Sequence, residues 1–252
     1  MPVNLQAILD APIIQLDTID STNNYAMRLV DADTAQEGLT IVAASQTQGK
    51  GQRGHTWADN PGESLLMSLI IRPQHSLERQ FMFSATVAVA IANVLQKLDE
   101  RCDVQIKWPN DIIINDKKAG GILIENIIRG SSWTYAVVGL GLNVNQPLLP
   151  AELPYATSLH QATGRRFDMD ELLSQLRQEI ITLTAHPQAD EDILAQYNDS
   201  LFRKGSFQAF GKDGDRWKAE ILSVTPDGKL QVRLEDGTGI GYVHGSVEWI
   251  WG

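Results

Sequence analysis

Residues 104–144 read VQIKWPNDIIINDKKAGGILIENIIRGSSWTYAVVGLGLNV. Four β-rich runs stand out in it: VQIKW, DIIIN, GGILIENII and TYAVVGLGLNV. The pair Asn115-Asp116 and the segment Arg129-Gly130-Ser131-Ser132 separate them as turns, because Asn, Asp and Gly tolerate the left-handed backbone a tight reversal needs. Strands spaced this closely pair antiparallel on one sheet, with helices packed against it.

Working outward, Ser21-Thr22-Asn23-Asn24 supplies N-cap candidates for a helix through Tyr25 to Val30. Gly38 then reads as a turn and TIVAASQ as a strand, followed by a glycine-rich loop. SLLMSLIIR, bounded by Gly62 and Pro73, is a nearly continuous apolar run and reads as a buried strand. From Leu77 to Leu98 the apolar residues predict a largely buried helix. Beyond a loop around Pro147 to Pro154, Leu172, Leu173, Leu176, Ile180, Ile181 and Leu183 give a helical stripe, and Glu191 to Leu201 a shorter helix; both read as scaffold. From about Gly205 the texture changes to short strands with Asp-Gly turns at Asp213-Gly214, Asp227-Gly228 and Asp236-Gly237. The division expected is residues 1–204 as a main domain and 205–252 as a small β domain.

The chain has 252 residues, 43% of them hydrophobic, enough for a substantial core. A formal net charge of -10 leaves no global positive field for nucleic acid, and no local basic element replaces it. The single cysteine, Cys102, excludes an internal disulfide and a cysteine-rich zinc site, and reads as a buried small hydrophobe. No signal peptide is seen at the start, and the most apolar stretch, ATVAVAIANVL, is about half the length needed to cross a bilayer. These features predict a soluble protein of a reducing cytoplasm, bound to neither nucleic acid nor membrane.

The glycine-rich loop lies in QTQGKGQRGHTW, residues 46–57, and its GKGQRG satisfies G-x-G-x-x-G. A dinucleotide-binding turn needs a helix directly after the third glycine and an acidic residue about twenty positions on. HTWADNPGE carries Pro61 and Gly62 with no helical period, and the later position reads PQHS. The dinucleotide reading therefore fails, and the phosphate-loop pattern is absent as well. KWPND, residues 107–111, instead sets a cation, an amide and a carboxylate around a proline, a combination suited to a phosphate and its metal ion. Taken singly, Lys107 reads as a solvated strand residue and Asp111 as a turn former.

DSTNNYA, QTQGKGQRGHTW, KWPND, KAGGILIE and GLGLNVN occur in that order, and together they resemble the catalytic core of biotin protein ligases, also called holocarboxylase synthetases. The resemblance runs over nearly the whole chain, on the side of members without a DNA-binding domain. It implies an α+β fold: a mixed, mainly antiparallel sheet packed with helices, similar to class II aminoacyl-tRNA synthetases, plus a C-terminal β-barrel of Src-homology-3 type. It also implies an ATP-dependent ligase with Mg²⁺ that makes biotinyl-5'-adenylate and passes biotin to a lysine of a biotin carboxyl carrier protein or domain. Some relatives dimerise through sheet edges, so a homodimer stays open. Lipoate–protein ligases share the fold and the chemistry, but their RRxSGGG-type stretch is missing; a non-catalytic biotin sensor would have no need of Lys118 and Asp111.

By the same resemblance Ser21, Thr22, Asn23 and Gln46 face biotin, whose uncharged ureido ring suits hydroxyl and amide partners. Ser21 and Thr22 equally suit a plain helix cap. Lys50, Gly51 and Gln52 fall in a lid over biotin, with Lys50 and Arg53 beside the adenylate phosphate. The family loop commonly carries arginines where this chain has Lys50, Gln52 and His55, and lysine lacks the bidentate fork. Lys118 is the catalytic cation between carboxylate and α-phosphate, and it also touches biotin. Asp111 either joins the Mg²⁺ shell or helps to deprotonate the incoming lysine. Asn110, Gly121 and Asn143 are implied near ATP, and Trp108 either packs on a ligand or fills core.

Overall fold

The computed structural model describes residues 3–58 and 60–251. The chain runs through α1 (Leu5–Leu9), β1 (Ile13–Ile19), α2 (Thr22–Asp31), β2 (Thr40–Gln46), β3 (Ser64–Ile71) and α3 (Gln80–Leu98). The meander follows as β4 (Val104–Lys107), β5 (Asp111–Ile114), β6 (Lys117–Arg129) and β7 (Ser132–Asn143). Next come α4 (Leu159–Thr163), α5 (Met169–Ala185) and α6 (Asp190–Asp199). The last strands are β8 (Phe207–Lys212), β9 (Asp215–Val224), β10 (Leu230–Leu234), β11 (Gly239–Tyr242) and β12 (Glu248–Ile250).

Seven strands form one mixed sheet in the order β1-β2-β3-β7-β6-β5-β4. Only β1 and β2 pair parallel, and α2 is the crossover that lets them. The meander is antiparallel throughout, as its turn spacing predicts. Asn115 and Asp116, at φ 50° and 64°, make the two-residue reversal between β5 and β6. All eight residues of β3 are buried, because it lies mid-sheet with helices on both faces. On one face, α2 buries Ala26 and Val30 against Ile41, Ile70 and Val137. On the other, α3 packs with α5 and α6 over the rest of the sheet.

α3 is apolar around most of its circumference, which fits a helix enclosed by protein on several sides. With the preceding turn, Leu77–Leu98 has the length and apolar composition of a membrane span, more than ATVAVAIANVL alone implied. Its apolar side chains are spent on the core, with Phe83, Val87, Ile91 and Leu95 all buried. The helix begins at Gln80, not at Leu77, because Leu77–Arg79 closes first as a 3-10 turn. Three short elements have no counterpart in the sequence reading: α1, β1 and α4, each of which takes its stability from packing or capping. Asn4 Oδ1 caps α1 at Ala7, and Ser158 Oγ caps α4 at Gln161.

Arg177 of α5 ties the N-terminal segment down. Its guanidinium donates to the carbonyls of Ile8, Leu9, Ala11 and Gly38 and to Thr40 Oγ1. One fork therefore holds the entries of both β1 and β2, which set where α2 starts. The C-terminal strands form a second, wholly antiparallel sheet in the order β11-β10-β9-β8-β12. The Asp-Gly reversals lie where composition places them, with Asp213 at φ 53° and Gly214 at 96°. Ile106 of β4 exchanges backbone hydrogen bonds with Ser200 and Phe202, so the chain entering the second sheet runs along the edge of the first.

Candidate active site

Strand parity builds the floor of the main cavity. On β7, Gly139 and Gly141 are two apart and face the same side. A methyl on Gly139 would sit 2.3 Å from Asn23 Oδ1, and one on Gly141 2.6 Å from the Trp57 ring. Both glycines are therefore spaces that neighbouring side chains fill. On β6 the parity is deliberately broken. Asp111 pairs with Gly121 and Ile112 with Gly120, but Ile113 pairs with Lys118, so Ala119 is an extra residue in a bulge. Without it Lys118 and Gly121, three apart, would face opposite sides. With it the Lys118 Nζ lies 3.7 Å from where a Gly121 methyl would stand, and 2.7 Å from Asp111 Oδ1.

At one end the cavity is polar and uncharged. Ser21 sits at the N-cap position of α2 but its side chain makes no capping bond, leaving the hydroxyl on the cavity wall. Thr22 N–H and Oγ1–H both donate to Gln46 Oε1, at 2.8 and 3.1 Å. That orients the Gln46 amide so that its N–H groups remain as donors. Ser68 Oγ donates to Asn23 Oδ1 at 2.5 Å, and Asn23 Nδ2 donates to Glu125 Oε2 at 2.8 Å. Glu125 closes KAGGILIE, had no role in the sequence reading, and also meets Lys50 Nζ at 3.5 Å.

The other end is charged. Lys107, expected to be solvated, is 9% exposed, and its Nζ lies 5.0 and 5.2 Å from the ring centroids of Trp249 and Trp251. Burial holds its proton affinity below that of an ordinary lysine; Asp111 opposes this and Lys118 adds to it. Trp108 fills core, donating Nε1–H to the Gly228 carbonyl at 3.0 Å, while also lining the cavity. Its peptide bond to Pro109 is cis. Asn110 Nδ2 donates to the Ile122 carbonyl at 2.7 Å.

The glycine-rich loop forms the third wall as a small hairpin. Lys50 bridges to Thr56, Gly51 N–H donates to the His55 carbonyl, and Gln52–Gly54 make a 3-10 turn with Arg53 at φ 55°. Among the described residues no dinucleotide-type helix follows it. Gly49 accepts from Trp57 N–H at 2.9 Å, which lays the indole over the Gly141 floor. From the turn between β11 and β12, Gly245 lies against the Arg53 guanidinium and His244 packs edge-on to Trp108 at 5.8 Å. Burial, then the positive charge of Arg53, pushes the His244 proton affinity down.

Ser21, Thr22, Asn23, Gln46, Lys50, Gly51, Gln52 and Arg53 all line this one cavity of ≈ 400 Å³. Trp108, Asn110, Asp111, Lys118 and Gly121 line it too. Asn143 does not; its Nδ2 donates to the Thr157 carbonyl, and it lines an adjoining pocket of ≈ 310 Å³ that shares Thr56, Trp57 and Lys118 with the first. Trp57, Glu125 and Lys107 are additions that the sequence reading missed or left unassigned. Trp57 had a signal in its place directly after the glycine-rich loop. Among the described residues no three His, Cys, Asp or Glu side chains stand together as a metal cage. Asp111 alone suits an ion brought in on a nucleotide's phosphates.

A sheet whose polar pocket, paired ammonium and carboxylate, and glycine loop converge defines a scaffold suited to an anion and a small molecule. The chain belongs to the Biotin/lipoate A/B protein ligase family, whose model matches residues 16–143. It is similar to the bifunctional ligase/repressor BirA of Bacillus subtilis, 38% identical over 166 residues, 64% of this chain and 50% of that protein. It is also similar to the biotin–[acetyl-CoA-carboxylase] ligase of Paracoccus denitrificans, 32% identical over 162 residues, 62% of this chain and 66% of that one. The chain thus spans about half the length of the BirA relative. The fold matches the Aquifex aeolicus biotin protein ligase solved with biotin and ATP, with a TM-score of 0.77 over 94% of this chain and 97% of that one, at 24% identity.

Proposed function

We propose that the chain is a biotin–protein ligase, joining biotin to ATP as biotinyl-5'-adenylate and then transferring biotin to a lysine of a biotin carboxyl carrier domain. One observation carries this reading: an uncharged polar pocket opens directly onto the Lys118–Asp111 pair under the glycine loop. Ser21, Gln46 and the Asn23 network offer fixed donors and acceptors to a ureido ring. The biotin tail then points its carboxylate toward Lys118. The adjoining pocket beside Trp57 and Asn143 suits the nucleoside, because it shares Lys118 with the first.

A carboxylate oxygen attacks the α-phosphorus; the bond from that phosphorus to the oxygen bridging to the β-phosphate breaks, and pyrophosphate leaves with the electron pair. Both reactants are anions, so the chain's main contribution is charge neutralisation and alignment. Lys118 supplies that charge where the two meet. In the second step the carrier lysine amine attacks the acyl carbon and AMP departs. Asp111 is the carboxylate placed either to meet the nucleotide's Mg²⁺ or to take the amine's proton. Lys50, Gly51, Gln52 and Arg53 cover the mixed anhydride against water.

In the same reading, residues 1–204 are the catalytic domain and 205–252 a separate β-barrel of Src-homology-3 type. The protein works in the cytoplasm, on carrier protein, without nucleic acid or membrane, and a homodimer through a sheet edge remains compatible with the fold. Acid-dependent exchange of labelled pyrophosphate into ATP tests the function, with biotin, lipoate and octanoate compared. Exchange with biotin above the other two is expected. Preference for lipoate or octanoate, or no exchange with any acid, refutes it.

A further inference from the structure

A run of polar contacts starts at the glycine loop, passes beneath the uncharged end of the cavity and returns to the loop one residue further on. Gln46 closes β2, and its Nε2 lies 3.1 Å from where a Gly49 methyl would stand. Thr22 Oγ1–H donates to Gln46 Oε1. Ser68 Oγ lies 2.8 Å from Thr22 Oγ1 and donates to Asn23 Oδ1 at 2.5 Å. Asn23 Nδ2 donates to Glu125 Oε2 at 2.8 Å, and Glu125 Oε1 meets Lys50 Nζ at 3.5 Å. Thr22, Asn23 and Ser68 are buried, so a partner lost there leaves a polar atom with no water to replace it. Glu125 itself does not line the cavity. A carboxylate on a strand is ordinarily a solvated surface group, but this one divides its oxygens between the pocket floor and the loop. Because an ionised carboxylate only accepts, it also fixes the Asn23 amide, nitrogen toward Glu125 and oxygen toward Ser68.

We infer that Glu125 is a positioning residue that ties Lys50 of the glycine loop to the Asn23 amide, so that one carboxylate holds both the biotin pocket and its cover. The inference deepens the proposed biotin ligation and rests on it. The two oxygens act with different strength. The bond from Asn23 is charge-assisted, and its loss leaves a buried amide unpaired. The pair with Lys50 is long and partly exposed, a weak tie that salt loosens. A weak tie suits a segment that must part to admit biotin and ATP and part again for the carrier lysine. Glu125 therefore acts through its two partners and not by touching a ligand. Through Asn23 it sets how firmly biotin is held, and through Lys50 how much of the time the loop stays down.

Two readouts on the full chain separate the two oxygens: calorimetric titration with biotin, and the rate at which trypsin cuts after Arg53 in the ligand-free protein. Glu125→Gln keeps an acceptor for Asn23 but loses the charge that holds Lys50. It is expected to speed the Arg53 cut about two- to fivefold, the scale of an exposed ion pair, and to weaken biotin no more than about threefold. Raising the salt concentration should close the gap in cutting rate between this variant and wild type, which a merely structural role for Glu125 would not produce. Glu125→Ala removes both contacts and should weaken biotin about tenfold. Lys50→Met should match Glu125→Gln in the Arg53 cut, and the double variant should add nothing, since both act through the same pair. A Glu125→Gln loop cut at the wild-type rate overturns the tie, as do additive effects in the double variant. Wild-type biotin affinity in Glu125→Ala overturns the hold on Asn23. A wild-type chain that binds no biotin refutes the ligase reading, while faster cutting in Glu125→Gln still establishes the loop contact.

Discussion

Gly139 and Asn23 meet so closely that the glycine's missing methyl is what lets the asparagine lie flat on β7. Gly139→Ala would place a carbon 2.3 Å from Asn23 Oδ1, so Asn23 must move and lose its bonds to Ser68 and Glu125. Biotin affinity should fall about tenfold or more by calorimetry, the scale of one or two lost polar contacts; unchanged affinity would remove Asn23 from the biotin pocket. Lys118→Ala should abolish pyrophosphate exchange with the circular dichroism unchanged, because the side chain is partly exposed and supports no core packing. Near-normal exchange would refute its role. At this scale the motifs carried most of the cavity: every predicted residue except Asn143 lines it. What stayed hidden depended on distance or parity. Lys107 is buried by tryptophans over 140 positions downstream, and Lys118 faces Asp111 only through the bulge at Ala119.

Elements with their own periodicity were legible: β2, β3, α5 and the meander stand where pattern and turns put them. β1 was not, because it is an edge strand none of whose residues is fully buried, and α1 and α4 are too short to show a period. Their stability is borrowed. The five hydrogen bonds of Arg177 secure the starts of β1 and β2, and through β1 the loop carrying Ser21. Arg177→Met should strand several buried carbonyls and cost ~3 kcal/mol in urea unfolding. Arg177→Lys should recover only part of it, since an ammonium cannot span the fork. A loss below ~1 kcal/mol for the methionine variant would show that the N-terminal segment holds itself.

Over the whole molecule, net charge and local charge point opposite ways. The chain carries -10, yet Lys50, Arg53, Lys107 and Lys118 converge on one cavity. A cationic cavity in an acidic protein suits small anions and disfavours polyanions such as nucleic acid. Two sheets share that cavity: the first supplies the floor and the reacting pair, while His244, Gly245 and Trp249 close a wall from the second. That shared wall was not legible in the sequence, where the C-terminal strands read as a separate texture. In the proposed function, a cavity roofed by the glycine loop and walled by both sheets keeps a reactive adenylate from water. Native mass spectrometry of the protein after incubation with biotin and Mg-ATP, without carrier protein, tests this most directly. The account predicts a non-covalent adduct of biotinyl-5'-adenylate, absent when biotin is omitted and absent in Lys118→Ala. A protein that emerges with ATP or biotin alone, and never with the adenylate, contradicts it.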